Sequence, residues 1–286
     1  MKSSGPGSRR RSAGESRIGS GRSIVPSEAR LTPNPTRRVL STLKAWNVRA
    51  LLAGGQACVL YGAAEFSRDS DFLILADARN LRRLRSALRE LQAAPVYFPP
   101  LTLRHLRAGH GCHFRCRHPE ADGFRVDILA RMRGLEPFER LWRRRTALRF
   151  PDGTPVDALS VEDLVRSKKT QRDKDWPMIR RLVETDFLNA GRSPGSRRVA
   201  WWLAECRTPS ILAGLVRRHP ALAVRSPDRP WLRRTGADEA AIAARLREEE
   251  DRIRAADCLY WQPLRRQLEA MRLGRRKMAT PRPRRA

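Results

Sequence analysis

The chain has little lysine, little acid and no long apolar run. Only six of its 59 basic residues are lysine, and its 30 acidic residues leave a formal charge of +29. No stretch approaches the ~18 apolar residues that a membrane span needs. The N-terminus lacks the apolar core of a secretory signal, and its arginine- and serine-rich start lacks the amphipathic apolar face of an organelle-targeting peptide. A cytoplasmic protein with no membrane partner is therefore expected. The five cysteines, Cys58, Cys112, Cys116, Cys206 and Cys258, are odd in number and scattered. That excludes a full disulfide framework in a chain too long to need one, and predicts reduced thiols.

At 286 residues and 41% hydrophobic content the chain can build a core, as one large domain or two modest ones. Its pI near 11.6 suits contact with a polyanion such as nucleic acid. An arginine excess spread this generally is also what coding bias produces, so charge alone does not decide the partner.

Residues 1–30 are mostly serine, glycine and arginine and predict a disordered basic tail, with a second basic tail at 273–286. Between them, Val39, Leu40, Leu43 and Trp46 recur at helical spacing. "VRALLAGG" alternates as a short strand ending in a glycine pair, and "QACVLYG" reads as a helix opening directly after it. "DFLILA" is β-like, and Asp77 caps a helix with the stripe Leu81, Leu84, Leu88 and Leu91. A hairpin follows, "CHFRCRH" and "FRVDILA", with Asp122-Gly123 as turn signal. In its second arm Phe124, Val126 and Ile128 share one face, and Arg125 and Asp127 the other. A helix around "PFERLWRRR", a hairpin about Pro151 to Gly153, a helix capped by Ser160 with Asp163, and another starting at Asp175 complete this region. After a Gly/Ser/Pro break the remainder reads as helical, including a long stretch from about Ala237 to Met271. No internal repeat is visible. The expected division is a mixed α+β domain over 31–190 and a helical C-terminal domain over 191–272.

Two aspartates, Asp69 and Asp71, sit at the mouth of the "DFLILA" strand. Residues i and i+2 of a strand project to one face, so the pair can hold one hard cation, or two sharing a carboxylate. Magnesium is the obvious candidate. Asp127 supplies a third carboxylate on the polar side of another strand. Should the two strands lie side by side, three aspartates converge as in-line phosphoryl or nucleotidyl transfer requires. Gly54 and Gly55, at a strand end and opening a helix, then offer backbone N–H groups to a triphosphate. Alone, a glycine pair is usually a tight turn and an Asp-x-Asp a solvated strand end. The thirteen residues from Gln56 to Arg68 between them make the combination more specific.

"LLAGGQACVLYGAAEFSRDSDFLIL" resembles the glycine-pair and Asp-x-Asp signature of the DNA polymerase beta-type nucleotidyltransferase superfamily, with "FRVDIL" similar to the strand bearing the third aspartate. "VEDLVRSKKTQRDKDWPMIRRL" resembles the lysine and Arg-Asp region of its AbiEii/AbiGii-type branch of uncharacterised bacterial proteins. The resemblance spans Val48 to about Ala190. It implies an α+β fold with a small mixed sheet packed by helices. It also implies Gly54 and Gly55 at the triphosphate, Asp69 and Asp71 on two magnesium ions, Asp127 as general base or metal ligand, and Lys168 at the nucleotide. Ser70 and Gln56 depart from the pattern, and neither removes a ligand.

Lys168, Arg172 and Asp175 fall at i, i+4 and i+7, which predicts one helix face. Three of the six lysines lie between 168 and 174. That clustering favours phosphate contact over a merely solvated face. Cys112, His113, Cys116 and His118 suggest zinc, but strand alternation places the two cysteines toward the core, so buried thiols are the better reading. His113 and Arg115 then share the polar face with Asp127. Trp201, Trp202, Trp231, Tyr260 and Trp261 at helical spacing read as core before they read as base-stacking residues.

These readings converge on a magnesium-dependent nucleotidyltransferase moving a nucleoside monophosphate from a nucleoside triphosphate to an acceptor hydroxyl. Net charge favours RNA as acceptor. The branch it resembles implies a transfer-RNA end, a toxin-like role and a neutralising antitoxin partner. The alternative is a catalytically degenerate regulator that binds nucleotide or nucleic acid. A DNA-binding protein using the C-terminal helices has only basic charge in its favour.

Overall fold

Asn34 accepts a hydrogen bond from the backbone N–H of Arg37, and Pro35 supplies a preset φ, so the first helix starts there. The computed structural model describes residues 34–150, 153–191 and 193–279, with side chains to 274. The expected N-terminal tail and residues 280–286 of the C-terminal one lie outside them.

Helix α1 (Pro35–Ala45) buries Val39 and Leu43. Strand β1 (Ala50–Ala53) runs into α2 (Gly54–Leu60), and β2 (Asp69–Ile74) returns antiparallel to β1. Asp77 accepts from Asn80 N–H at 2.6 Å and starts α3 (Ala78–Glu90), whose Leu81, Leu84 and Leu88 are buried. Then come β3 (Ala94–Pro95), α4 (Leu103–Arg107), β4 (Cys112–Arg115) and β5 (Arg125–Leu129). Helix α5 (Phe138–Arg143) precedes the antiparallel pair β6 (Thr146–Arg149) and β7 (Pro155–Ala158). That pair is the expected second hairpin, although turn residues 151 and 152 lie outside the described residues.

The seven strands form one mixed sheet in the order β3-β4-β5-β2-β1-β7-β6. Strands β2 and β5 are parallel and adjacent, with Asp71 opposite Asp127 and Asp69 opposite Arg125. The fold is therefore α+β with a mixed sheet packed by helices. The two faces expected for β5 hold: Phe124, Val126 and Ile128 are buried in the core, while Arg125 and Asp127, the latter also buried, line the cavity on the other side.

Ser160 accepts from Asp163 N–H and opens α6 (Val161–Lys168), and α7 (Asp175–Asn189) follows. One expectation is corrected here. Lys168, Arg172 and Asp175 do not share a helix face: Lys168 ends α6, Arg172 lies in the connection, and Asp175 begins α7. Pro177 is the physical reason, because its ring clashes with a helical carbonyl at residue 173 and it has no N–H to donate.

The remainder is helical: α8 (Ser196–Glu205), α9 (Pro209–Arg218), α10 (Pro220–Val224), α11 (Leu232–Thr235) and the long α12 (Glu239–Ala279). The 273–286 stretch, read as a tail, is thus helical through Ala279. Trp202 and Trp231 are core residues, while Tyr260 is partly exposed. Among the described residues no helix is long and apolar enough to cross a membrane. All five cysteines are free thiols.

Candidate active site

The parallel pairing of β2 with β5 places Asp69, Asp71, Arg125 and Asp127 on one face of the sheet, because they occupy alternate positions in register. That face walls a cavity of about 830 Å³, a size that suits a small-molecule ligand. Gly54, Gly55, Lys168 and Arg172 also line it, so all seven expected site residues meet in one place.

Gly54 explains how the first wall closes. Its φ is +65°, a region that favours glycine, and a Cβ there would lie 1.7 Å from Asp71 Oδ2. Strand β1 therefore turns into α2 directly against the Asp71 carboxylate. At Gly55 a Cβ would meet Ser67 Oγ at 2.6 Å. Ser67 in turn donates to the Asp69 carbonyl at 2.9 Å and lies 3.1 Å from Asp69 Oδ1, which fixes the start of β2.

The three acids differ in their partners. Asp127 is bound by Arg125, with Nε to Oδ1 at 2.8 Å and a terminal nitrogen to Oδ2 at 2.5 Å. His113, opposite it on β4, brings Nδ1 to 2.8 Å from Oδ1. Burial alone would push the Asp127 carboxyl up, but the hydrogen bonds from His113 and Arg125 outweigh it and hold the group below the usual carboxylate range. Asp69 and Asp71 have no ion pair among the described residues. By contrast, the buried acids Asp127, Asp163, Asp175, Asp186, Glu205 and Asp257 are all paired with a basic side chain. Asp71 keeps some area open to the cavity, yet protein surrounds it on its other sides. That desolvation, then the charges of Asp127 and Asp69, push its carboxyl up to about 6.

Lys168 is buried and its Nζ lies 3.2 Å from Asp175 Oδ1, while Thr170 and Arg172 hold Asp175 Oδ2 at 2.6 and 2.8 Å. The three residues expected on one helix are thus brought together by a loop that folds around Asp175. Arg68, Arg115 and Lys174 add positive charge to the wall, and none of them has a carboxylate partner among the described residues. The cavity therefore presents an acidic floor ringed by cations, the pattern that a polyphosphate with its own metal ions would complement.

Comparison with known proteins adds little to this geometry. No family model matches the chain, and no curated protein matches it in sequence. Among solved structures, a Thermotoga maritima protein named as a "putative nucleotidyltransferase" aligns at 18% identity with a TM-score of 0.25. The match covers 45% of this chain and 65% of that one. A likeness this slight carries no argument, and the functional reading rests on the site.

For magnesium, the donor chemistry at Asp69 and Asp71 fits: two hard oxygen donors side by side, neither in an ion pair among the described residues, with burial and then the neighbouring carboxylates disfavouring charge on Asp71. Asp127 fits only as far as Arg125 releases it. Among the described residues, no three His, Cys, Asp or Glu side chains form a ready cation site. The same holds for the Cys112, His113, Cys116 and His118 group: Cys112 and Cys116 are buried thiols that burial pushes up to about 11.

Sequence reasoning missed Ser67, Arg68 and Arg125 as cavity residues, whereas Lys174 belongs to the lysine cluster it read as phosphate-contacting. Arg125 was within reach, since it alternates with Asp127 on the same strand face. Ser67, two residues before Asp69, carries the ordinary signal of a serine bonding to nearby backbone. Ser70, the departure from the family pattern, is fully buried on the opposite face, and its hydroxyl has no hydrogen-bond partner. It occupies an apolar position and does not touch the site.

Proposed function

We propose that this chain is a nucleotidyltransferase. It would move a nucleoside monophosphate from a triphosphate to an acceptor hydroxyl and release pyrophosphate. The observation that supports this most is the placement of Asp69, Asp71 and Asp127 in register on adjacent parallel strands, facing a glycine pair and a ring of cations.

Asp69 and Asp71 would hold the magnesium ions, with Asp127 completing the set once free of Arg125. Bound magnesium would neutralise charge on the phosphates and on the attacking and leaving oxygens. The chain's own groups do the rest. Gly54 leaves room for the Asp71 carboxylate, and Ser67 fixes Asp69. Arg68, Lys174 and Arg172 supply positive charge to a triphosphate, and buried Lys168 sets the position of Asp175. The reaction forms one bond from the acceptor oxygen to the α-phosphorus and breaks the bond to pyrophosphate; the acceptor proton must leave. Both roles the resemblance implies for Asp127, general base and metal ligand, require Arg125 to leave it first.

One observation favours the second reading, a regulator that binds nucleotide without turnover: Asp127 is already occupied by Arg125 and His113. RNA as acceptor rests on the net charge; a transfer-RNA end and a neutralising antitoxin partner rest on the sequence resemblance alone.

The test incubates the protein with magnesium, each α-labelled nucleoside triphosphate in turn, and cell extract as acceptor pool. Label on one RNA or protein band with wild type, absent with Asp69→Ala/Asp71→Ala, supports transfer. Triphosphate binding by folded protein without label supports the regulator.

A further inference from the structure

Strand β5 has β4 on the side away from β2, and beyond His113 on β4 the sheet borders a second cavity, of about 430 Å³. Its other wall is the outer part of α12. There Trp261, Leu264, Arg265, Leu268 and Arg272 recur at spacings of three and four, so one stripe of the helix faces the cavity.

Three features set its chemistry. Aromatic side chains come from both walls: Tyr97 from the sheet edge, 51% exposed, and Trp261 from the helix. Arg125, Arg265 and Arg272 line the cavity, and no acidic residue does. Arg265 and Arg272 have no carboxylate partner among the described residues. Arg125 also joins this cavity to the first, lining both, with its guanidinium 2.5 Å from Asp127 Oδ2 and 5.9 Å from the centre of the Tyr97 ring.

Aromatic rings beside Arg265 and Arg272, which have no carboxylate partner among the described residues, in a lining without acid, match a nucleobase and its phosphate, as in sites that grip single strands. An acidic peptide would satisfy the arginines and leave the rings without a stacking partner. We infer that this second cavity holds one unpaired nucleotide of a single-stranded polynucleotide, its base against Tyr97 and Trp261 and its phosphate against Arg265 and Arg272. Arg125, which lines both cavities, sets that nucleotide beside the acid-bearing one. Only the use of the bound strand as acceptor rests on the nucleotidyltransferase reading; the binding itself does not.

The experiment measures fluorescence anisotropy of a 5′-labelled RNA 12-mer with the full chain in magnesium-free buffer, beside a DNA strand of the same sequence, a duplex of it and an acidic peptide. Tyr97→Ala and Trp261→Ala should each weaken single-strand binding roughly 5- to 100-fold. Arg265→Glu/Arg272→Glu should weaken it more than Arg233→Glu/Arg234→Glu, whose arginines are exposed on α11 away from the cavity. Unchanged thermal unfolding shows that the variants fold. Tighter binding of the RNA or of the DNA strand identifies which polynucleotide is the ligand. Equal losses in the two charge reversals with none from the aromatic changes would overturn the inference, as would preference for duplex or peptide. Magnesium-triphosphate stabilisation separates the two claims: if wild type shows none yet binds the strand through Tyr97 and Trp261, the cleft stands and the nucleotidyltransferase reading falls.

Discussion

Asp71 and Asp127 stand opposite one another on parallel strands β2 and β5, and only Asp127 is held by neighbours, in an ion pair with Arg125 and a close contact with His113. The unpartnered charge on Asp71 is where metal and substrate would act.

Asp71 should therefore cost the metal-free protein stability. Its carboxyl sits near 6 in the folded chain, above the ordinary ~3.9 of an unfolded aspartate. The folded state thus takes up the proton first as pH falls. The cost is full above about pH 6 and vanishes below about pH 4. Asp71→Asn should raise stability by about 2–3 kcal/mol at pH 8 and by almost nothing at pH 3.5. Thermal unfolding in chelator, at both pH values, checks this.

The same protonation competes with a divalent ion. Affinity for manganese, used as a magnesium stand-in, should be steady at pH 7–8 and fall with each step below about pH 6. Titration calorimetry at pH 7.5 and 5.5 reads the difference; equal affinity would remove Asp71 from the ligand set.

Gly54→Ala should be far more harmful than Gly55→Ala. The first places a Cβ 1.7 Å from Asp71 Oδ2 and strains a positive φ, whereas the second meets only the movable Ser67 Oγ at 2.6 Å. The strain alone costs about 1 kcal/mol, and displacement of Asp71 should abolish manganese binding. Gly55→Ala should retain it with reduced affinity.

Ser70→Ala should leave ligand binding unchanged and stability equal or raised by about 1 kcal/mol, because it removes a buried hydroxyl that has no partner. Denaturant unfolding beside manganese titration separates the two effects.

In the helical region, Arg229 is fully buried; it donates to Glu249 and to the carbonyls of Leu203 and Cys206, at 3.1 and 2.7 Å. Glu249→Ala should cost about 3–5 kcal/mol by stranding Arg229 and Arg207. Burial raises the Glu249 carboxyl, but Arg229 and Arg207 outweigh it and hold it below the usual range. Its contribution is thus present above about pH 4.5 and lost as pH falls further. Unfolding midpoints of wild type and variant should converge in acid.

The local devices were legible because short-range chemistry writes them: Asp77 and Ser160 as caps, Gly54 at the strand end, the alternation of β5. The pairing of β2 with β5 was not, since parallel neighbours far apart in sequence leave no local trace; convergence of the three aspartates could only be posed as a condition. Spacing put Arg125 and His113 on the polar face with Asp127 but did not reveal that they would bind its carboxylate. The lysine segment failed for a different reason. Pro177 marked the helix start at Asp175, which the structure bears out, and that start was incompatible with one helix face for Lys168, Arg172 and Asp175.

Everything proposed for the larger cavity turns on Asp69 and Asp71 holding metal against a triphosphate. The most direct measurement titrates a non-hydrolysable nucleoside triphosphate into wild type and Asp69→Ala/Asp71→Ala by calorimetry, with magnesium and with chelator. Binding that requires both magnesium and the two aspartates is the predicted result. Equal binding in chelator, or by the double variant with magnesium, would contradict it.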